Sequence, residues 1–209
     1  AAAPSQAHTI QELRAGAVAA ESQVRVDNAI VTAIAPGRGL WIQQGSGPDS
    51  GIYLFGAEAS ETAGLAEGKA IDITGVYTLF NDLKQIKFPT ITAIRDGQLP
   101  DPFVVAAADL ATSASWEGVL VRADNLAIVT ANPDGPDNDY GQIEVTDGLL
   151  LDDDLFPSLR SGRYFLRQAG TEFTSITGIA HLSFGNRKLL PRRPEDLVVV
   201  GGAPDFTVT

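Results

Sequence analysis

One short phrase occurs twice in the 209-residue sequence. Residues 24–32 read VRVDNAIVT, and residues 121–130 read VRADNLAIVT. A second echo, ITGV at 73–76 and ITGI at 176–179, keeps the same order in both halves. Because segments that recur in a constant order indicate a repeated structural unit, we expect two copies of one module in the chain.

The two phrases differ in length by one residue. Val24–Asn28 matches Val121–Asn125 position by position, and a one-residue insertion after this match aligns Ile30–Thr32 with Ile128–Thr130. The alternation of apolar and polar residues in the phrase is typical of a half-buried strand. We therefore expect the phrase to form the first strand of each copy, with its Arg and Asp side chains facing outward or bracing turns.

Each copy contains five segments with the features of β-strands, which are short, β-branched or alternating runs between turn sequences. Helical pattern is confined to Thr9–Ala20, where Thr9 and Glu12 form a capping-box pattern, and to helical turns at 57–66 and 157–162. The predicted strands are 22–35, 38–45, 51–56, 69–80 and 84–95 in the first copy, and 116–131, 140–146, 148–151, 173–183 and 187–200 in the second.

Five strands with a helical insertion between the third and the fourth are the layout of an OB-fold, a small Greek-key barrel. The NDLK sequence at 81–84 supplies a tight hairpin connection. We therefore predict an all-β protein of two tandem five-stranded OB-like Greek-key barrels with short helical insertions. The predicted barrels span 8–100 and 116–200, with a turn-rich linker at 101–115 and an extended C-terminal tail at 201–209.

The first copy also resembles the OB-fold modules of bacterial exported proteins. The similarity spans residues 8–95, where an early helix precedes an aromatic-Ile-Gln element at Leu40–Gln44, a strand at Gly51–Phe55 and a further strand at Gly68–Gly75. Such modules accompany secreted endonuclease/exonuclease/phosphatase-type nucleases and surface lipoproteins. The resemblance implies an OB-fold and a secreted, cell-surface or periplasmic location. The second copy departs from the pattern, because Gly141–Glu144 lacks the aromatic residue.

Composition and motifs argue against several classes of function. The chain has no cysteine and two histidines, His8 and His181, which lie in different copies. It lacks nucleophile-elbow, HExxH and P-loop patterns, so we predict that it is not an enzyme. The net charge of −11 disfavours nucleic acid as a partner, because non-specific binding depends on Lys and Arg contacts to phosphates. No apolar run reaches the length of a membrane span, whereas a lipid anchor on a precursor stays an open alternative.

The ligand face of an OB-fold lies on strands two and three and their flanking loops. In copy one this face is predicted to carry Arg38, Trp41, Tyr53 and Phe55. Aromatic rings there can stack on bases, which is worth about 1–3 kcal/mol per base. This is the basis of an alternative function, a nucleic-acid-binding accessory module of a secreted nuclease system. The interpretation we favour is that Trp41 and Phe55 instead fill the barrel core.

Seven of the fifteen basic residues cluster in copy two. They can form a cationic patch on this copy, or they can balance its acidic loops, and the sequence leaves both interpretations open. The seven residues are Arg160, Arg163, Arg167, Arg187, Lys188, Arg192 and Arg193.

An acidic loop in copy two carries a candidate calcium site. Calcium takes six to eight oxygen ligands, which spaced Asp and Asn side chains on a Gly-containing loop can supply. The spacing is not that of an EF-hand, and a solvated acidic turn is the alternative. The predicted cofactor is therefore none or Ca²⁺, and the candidate ligands are Asn132, Asp134, Asp137, Asn138 and Asp139.

The C-terminal tail favours self-association. Residues 196–209, DLVVVGGAPDFTVT, end in a β-prone FTVT behind a Gly-Gly-Ala-Pro hinge. An extended segment can add a strand to an open sheet edge of its own chain or of a neighbour, and the candidate assembly residues are Phe206, Thr207, Val208 and Thr209. We therefore predict a non-catalytic exported bacterial binding or structural protein, whose partners are itself or other surface proteins.

Overall fold

A computed structural model describes residues 6–57 and 62–202. The chain divides into two compact units, each of which is described by itself. Unit 1 comprises Ala1–Asp101, Ser115–Leu120 and Leu182–Gly185. Unit 2 comprises Pro102–Ala114, Val121–His181 and Asn186–Thr209.

Unit 1 contains a closed five-stranded barrel. Its elements are α1 (Ile10–Arg14), β1 (Ser22–Ala35), β2 (Gly39–Gln43), β3 (Gly51–Phe55), β4 (Ala70–Phe80) and β5 (Leu83–Arg95). The strands neighbour one another in the order β1-β2-β3-β5-β4, with β3 and β5 parallel and the other described pairs antiparallel. A five-stranded Greek-key barrel of this kind is OB-like, so the predicted all-β, OB-like fold is confirmed.

The barrel closes over a core of aliphatic side chains, because successive residues of a strand point to opposite faces and every second one faces inward. Full burial of one such side chain stabilises the fold by about 1.5–3 kcal/mol. Ile10 and Leu13 of α1 belong to the same core. The fully buried strand residues include Val24, Val26, Leu40, Ile42, Ile52, Leu54, Ile71, Ile73 and Ile86.

The helix α1 begins at the predicted capping box. The Glu12 amide donates to Thr9 Oγ1 at 3.1 Å, and the Thr9 amide donates to Glu12 Oε2 at 2.8 Å. The helix ends at Arg14, so the prediction of a helix to residue 20 was too long. The physical reason is Gly16, whose φ of 83° places it in the left-handed conformation that commonly ends a helix.

The connection between β4 and β5 is the tight hairpin predicted from NDLK. Phe80 pairs with Leu83, which leaves two residues, Asn81 and Asp82, in the turn. Both have positive φ, 47° and 67°. A two-residue loop with two positive φ values is a type I′ turn, in which Asn and Asp are favoured because they tolerate the left-handed region.

Unit 2 contains the second sheet. Its elements are β6 (Phe103–Val104), α2 (Ala107–Thr112), β7 (Leu120–Thr130), β8 (Ile143–Val145), β9 (Leu149–Leu151), β10 (Glu172–Ser183), β11 (Asn186–Leu190) and β12 (Leu197–Val199). The strand order is β12-β10-β11-β9-β8-β7-β6, and β10 also pairs with β7. The inner part, β7-β8-β9-β11-β10, therefore has the same order as the barrel of unit 1, and the β10–β7 pairing joins its two ends.

The fifth strand of copy two is interrupted. The sequence predicts one strand over 187–200, whereas the structure contains β11 and β12 with a 3₁₀ turn at Pro194–Asp196 between them. Pro191 and Pro194 have no amide hydrogen to donate to a sheet ladder. Asp196 accepts hydrogen bonds from the Arg192 backbone and guanidinium, which fixes the interruption.

Two other predicted segments differ in outcome. The helical turn predicted at 157–162 exists as a 3₁₀ turn at Pro157–Leu159, whereas the one at 57–66 includes residues 58–61, which lie outside the described residues. The segment predicted as a linker, 101–115, contains β6 and α2.

The one-residue insertion predicted in the repeated phrase is wrong. Val31 accepts from and donates to the Gly68–Lys69 segment, with hydrogen bonds of 2.8 Å. Ile128 makes the same two hydrogen bonds, of 2.9 Å, with Gly170–Thr171. Val31 and Ile128 therefore occupy equivalent positions, and the two phrases align without a gap through this point. The triplet IVT occurs at 30–32 and at 128–130, which favoured an insertion, but these triplets do not occupy equivalent positions in the two units.

The shared Asp-Asn pair gives each unit an asparagine with a left-handed backbone. Asn28 and Asn125 both have positive φ, 53° and 57°. In β1, the pairing with β4 shifts register between Val26 and Ala29, on either side of Asn28. Asn is one of the few residues that tolerate this conformation, which explains why the pair recurs.

The repeated Arg and Asp residues form matching ion pairs. Arg25 lies 2.7 Å from Asp27, and Arg122 lies 2.8 Å from Asp124. These four side chains face outward, as predicted, and each pair is partly exposed to solvent.

Candidate functional site

The aromatic residues predicted for the ligand face, Trp41, Tyr53 and Phe55, lie on the outer face of the barrel. Trp41 pairs with Tyr53 across β2 and β3, whereas the core contains Leu40 and Ile42, the neighbours of Trp41. The interpretation that Trp41 and Phe55 fill the barrel core is therefore wrong. The sequence misled because β2 is buried on both faces, which removes the alternation that distinguishes inside from outside.

Most of this face is inaccessible to a ligand. The Trp41 and Tyr53 rings contact each other with their centroids 4.7 Å apart. Trp41 is 3% exposed and Tyr53 is 9% exposed, whereas Phe55 is 46% exposed. Arg38 is exposed as well. Stacking on a base requires an open ring face, so Phe55 and Arg38 are the two predicted residues that a ligand can reach in this conformation.

The segment Ser115–Leu120 of unit 1 packs closely against β3 and the adjoining turn. The Asp49 amide donates to the Ser115 carbonyl at 2.7 Å. A Cβ at Gly51 would lie 2.1 Å from the carbonyl oxygen of Gly118. These two glycines therefore permit a backbone contact that no side chain could, and the contact covers one end of the predicted ligand face.

A buried arginine connects α1 to the same segment. Arg14 Nε lies 2.9 Å from Asp49 Oδ1, and Arg14 Nη2 lies 3.6 Å from Glu117 Oε2. Both Arg14 and Glu117 have almost no exposed side-chain surface. Sequence analysis missed this group, because the three residues are far apart in the chain and no motif links them.

The basic residues of copy two are engaged in ion pairs. Four of the seven bind an acidic side chain of the same unit, which supports the interpretation that they balance its acidic loops. A guanidinium or ammonium that already binds a carboxylate has less charge to offer a phosphate. The four pairs are Arg160–Asp153 at 2.9 Å, Arg167–Asp139 at 2.6 Å, Lys188–Asp152 at 2.6 Å and Arg192–Asp196 at 2.9 Å.

The acidic loop is organised around Arg167. Its guanidinium binds both carboxylate oxygens of Asp139 and also donates to the carbonyls of Ala131, Gln142 and Arg160. These hydrogen bonds hold the pKa of Asp139 below its usual range, against a smaller opposing effect of burial. The arginine thus supplies the positive charge that neutralises this part of the loop.

The other candidate calcium ligands make contacts within the loop. Asn132 Nδ2 donates to the carbonyls of Gly135 and Asn138, both at 2.8 Å. Asp134 accepts from the Tyr140 amide at 2.8 Å. Within residues 6–57 and 62–202, no three His, Cys, Asp or Glu residues are grouped so that they could hold a metal ion. The structure thus brings Asp134 and Asp139 into separate contacts rather than a shared oxygen cage.

The neighbouring carboxylate of Asp153 has a pKa shifted in the opposite direction from that of Asp139. Burial raises the pKa of Asp153 above its usual range, and the hydrogen bond from Arg160 opposes this effect only in part. A Cβ at Gly141 would lie 2.2 Å from the Asp153 carboxylate. The glycine is therefore required for the loop to pass over this buried acid.

The sheet of unit 2 has the strand β12 at one edge. In the described part of the chain, β12 pairs with β10 and is the last strand in the order. Val198 and Val200, on and just after β12, are each about half-exposed. An unpaired strand edge with exposed β-branched residues can accept another strand. The candidate assembly residues, Phe206, Thr207, Val208 and Thr209, lie outside the described residues.

A surface groove of about 500 Å³ lies beside this edge. Its walls come from residues 166–172 and from the end of β12, and they include Leu166, Val199 and Val200. Gly202, the last described residue, also lines the groove. Sequence analysis pointed to the tail but missed the groove, because its walls come from two separate segments without a shared motif.

Comparison with known proteins does not assign the chain to a family. No protein-family profile matches the chain, and no curated protein matches it. Among solved structures, the chain is similar to a protein described as the hypothetical protein ygiW from E. coli, with 15% sequence identity and a TM-score of 0.32. The similarity covers 44% of this chain and 89% of that protein. In the described parts of the chain, no helix is both long and apolar enough to cross a membrane.

Proposed function

We propose that this chain is a non-catalytic, exported bacterial binding or structural protein that associates with further copies of itself through its C-terminal segment, residues 203–209. The two units are, in this proposal, tandem copies of one OB-like module. The observation that carries the proposal is the open edge of β12, with its half-exposed valines, immediately before that segment.

Strand addition is a physically simple mode of association for such an edge. The incoming strand makes hydrogen bonds to backbone groups that are otherwise hydrogen-bonded to water. Its alternate side chains contact the surface beside the edge. In the sequence FTVT, Phe206 and Val208 would lie on one face of an added strand, and Thr207 and Thr209 on the other. The groove beside β12 offers an apolar wall for one of these faces.

The nucleic-acid alternative is less well supported. Trp41 and Tyr53 are buried in this conformation, four basic side chains of unit 2 are engaged with carboxylates, and the net charge is −11. A basic footprint is what backbone recognition requires. The exposed Arg38 and Phe55 are the features of unit 1 that still favour this alternative.

The proposal is tested by measuring the mass of the full chain over a wide range of concentrations with multi-angle light scattering. We expect a concentration-dependent oligomer that is lost when residues 203–209 are deleted. The double variant Phe206→Ser/Val208→Ser should dissociate it at least as well as the matched variant Thr207→Ser/Thr209→Ser, which changes the opposite face. A monodisperse monomer at the highest concentration would overturn the proposal.

A further inference from the structure

In unit 1, side chains from β4 and β5 cover the bulge at Asn28. The Asn28 amide donates to Asp72 Oδ1 at 2.7 Å. Arg95 binds the same carboxylate through two hydrogen bonds. These bonds hold the pKa of Asp72 below its usual range, with Arg95 as the larger cause. A carboxylate and an arginine therefore cover the bulge and complete this surface.

Unit 2 has an asparagine with the same left-handed backbone, Asn125, but the described residues around it do not form the same carboxylate–arginine cover. Arg95 pairs with the first residue of β4, and the Val200 amide donates to the carbonyl of Glu172, the first residue of β10. Val200 thus occupies the position of Arg95. Around the register shift in β10, the uncharged Thr174–Ser175 segment stands where unit 1 has Asp72.

An open groove lies beside Asn125, where unit 2 lacks the Asp–Arg pair of unit 1. It has a volume of about 270 Å³ and is lined by Asn125, Leu126, Ala127, Glu172, Phe173 and Val200. Glu172 and Val200 also line the groove of about 500 Å³ beside β12, so the two grooves adjoin. Together they lead from Asn125 to Gly202, after which residues 203–209 follow.

We propose that residues 203–209 of a second copy occupy these adjoining grooves, and that the Asp205 carboxylate binds the Asn125 amide as Asp72 binds Asn28. This inference rests on the proposed function and names the surface that receives the segment. Asp205 is the acidic residue of APDFTVT, and it is followed directly by Phe206, which would pack against the apolar wall that includes Leu166 and Val200.

The lengths and charges are compatible with this occupant. Seven extended residues span at most roughly 23 Å, which sets the length of groove that this segment can follow. Glu172 lies on the rim of each groove and is exposed, and its negative charge opposes an incoming Asp205. The charge of Glu172 therefore weakens the association, and Glu172→Gln should strengthen it.

Disulfide trapping tests the contact directly, because the chain has no cysteine of its own. Two differently tagged full-length variants, Ala127→Cys and Thr207→Cys, are mixed and oxidised. We expect a mixed disulfide-linked dimer. The matched control replaces Ala127→Cys with Ile30→Cys, the equivalent position beside the covered bulge of unit 1, and should give at least tenfold less mixed dimer.

A second test introduces into unit 2 the two charged side chains, an aspartate and an arginine, that cover the bulge in unit 1. The full-length variant Ser175→Asp/Val200→Arg places a carboxylate and a guanidinium in the groove. We expect it to lower the fraction of oligomer at least tenfold at the wild-type midpoint concentration, whereas Glu172→Gln raises that fraction. A variant that oligomerises like the wild type would overturn the inference.

The outcomes separate the inference from the proposed function. If the wild type never forms oligomers, the proposed function fails. If it oligomerises but neither the mixed dimer nor the effect of Ser175→Asp/Val200→Arg is seen, the function stands and the inferred surface is wrong. If the double variant Ala127→Cys/Thr207→Cys forms only a disulfide within one monomer, the chain's own segment fills the groove and the inference is overturned.

Discussion

The two units share an inner strand order and a left-handed asparagine in the first strand, but the surroundings of that asparagine differ. Unit 1 has a continuous fifth strand, β5, which carries Arg95 to the Asp72 carboxylate at the bulge. Unit 2 has its fifth strand split into β11 and β12, and a hydrophobic Val200 stands in the corresponding place. The two units therefore resemble each other in the first strand and its left-handed asparagine, and they differ at the end of the fifth strand, where unit 2 has a groove.

The largest expected effect concerns the buried ion pair of unit 2. Lys188 Nζ lies 2.6 Å from Asp152 Oδ2, and both side chains are almost fully buried. The equivalent residue of β5 is the uncharged Gln85. Lys188→Met leaves a carboxylate buried without its partner, so it should lower the free energy of unfolding by about 3–5 kcal/mol, measured by urea denaturation.

The matched control is the double variant Lys188→Met/Asp152→Leu, which removes both charges. It should recover most of the lost stability, because an apolar pair can replace a buried ion pair at little cost. Gln85→Met in unit 1 should cost at most about 1 kcal/mol, because it leaves no buried charge without its partner. Equal losses in the single and double variants would contradict this difference between the units.

The next effect concerns the glycines of the repeated ITGV and ITGI segments. A Cβ at Gly178 would lie 2.5 Å from the carbonyl oxygen of Leu190, which is backbone and cannot move aside. A Cβ at Gly75 would lie 2.5 Å from Ile86 Cγ2, a side-chain atom. We therefore expect Gly178→Ala to destabilise by about 3 kcal/mol and Gly75→Ala by about 1 kcal/mol.

Urea denaturation of the two glycine variants checks this order. A larger loss for Gly75→Ala than for Gly178→Ala would show that β4 and β5 are the more tightly packed pair, which is the reverse of what the contacts predict.

A smaller effect is expected in the acid range. Hydrogen bonds from Arg95 and from Arg167 lower the pKa values of Asp72 and Asp139, respectively. A carboxylate whose folded pKa is lowered contributes stability above its unfolded pKa, and this contribution is lost as the pH falls through the folded pKa. Arg95→Gln and Arg167→Gln should each make the stability less dependent on pH below about pH 5.

Thermal unfolding across a pH series measures this effect, and the matched control is Arg25→Gln, which removes an exposed pair. At neutral pH Arg167→Gln should cost about 2 kcal/mol, because hydrogen bonds to charged groups are lost, whereas Arg25→Gln should cost less, because its ion pair is exposed to solvent. A pH dependence that neither Arg95→Gln nor Arg167→Gln alters would show that other groups control the acid transition.

The smallest expected effect concerns the aromatic face of unit 1. We expect no salt-sensitive affinity for a fluorescent single-stranded oligonucleotide, and no change on Phe55→Ala, measured by fluorescence anisotropy. A salt-sensitive affinity that both Phe55→Ala and Arg38→Ala weaken would favour the nucleic-acid alternative, because those two residues are the accessible part of the face.

The fold could be predicted from local features, whereas the surfaces could not. Alternation and turn residues are local, so they gave the limits of β1 and β4 within one residue. The location of Trp41 was not predictable, because β2 is buried on both faces and carries no alternation. Partners such as Arg167 and Asp139 are 28 residues apart, and sequence patterns do not encode which distant charges meet.

The gapless alignment of the two phrases gives the bulge a further consequence. Strand register is strongly specified where one face is buried, since a slip of one residue would move every inward side chain to the outside. Only a few residues, Asn among them, tolerate the left-handed conformation, so Asn28 and Asn125 fix where this conformation falls along their strands. Exchanging residues 24–31 of unit 1 for residues 121–128 of unit 2 should therefore preserve the strand register of each sheet.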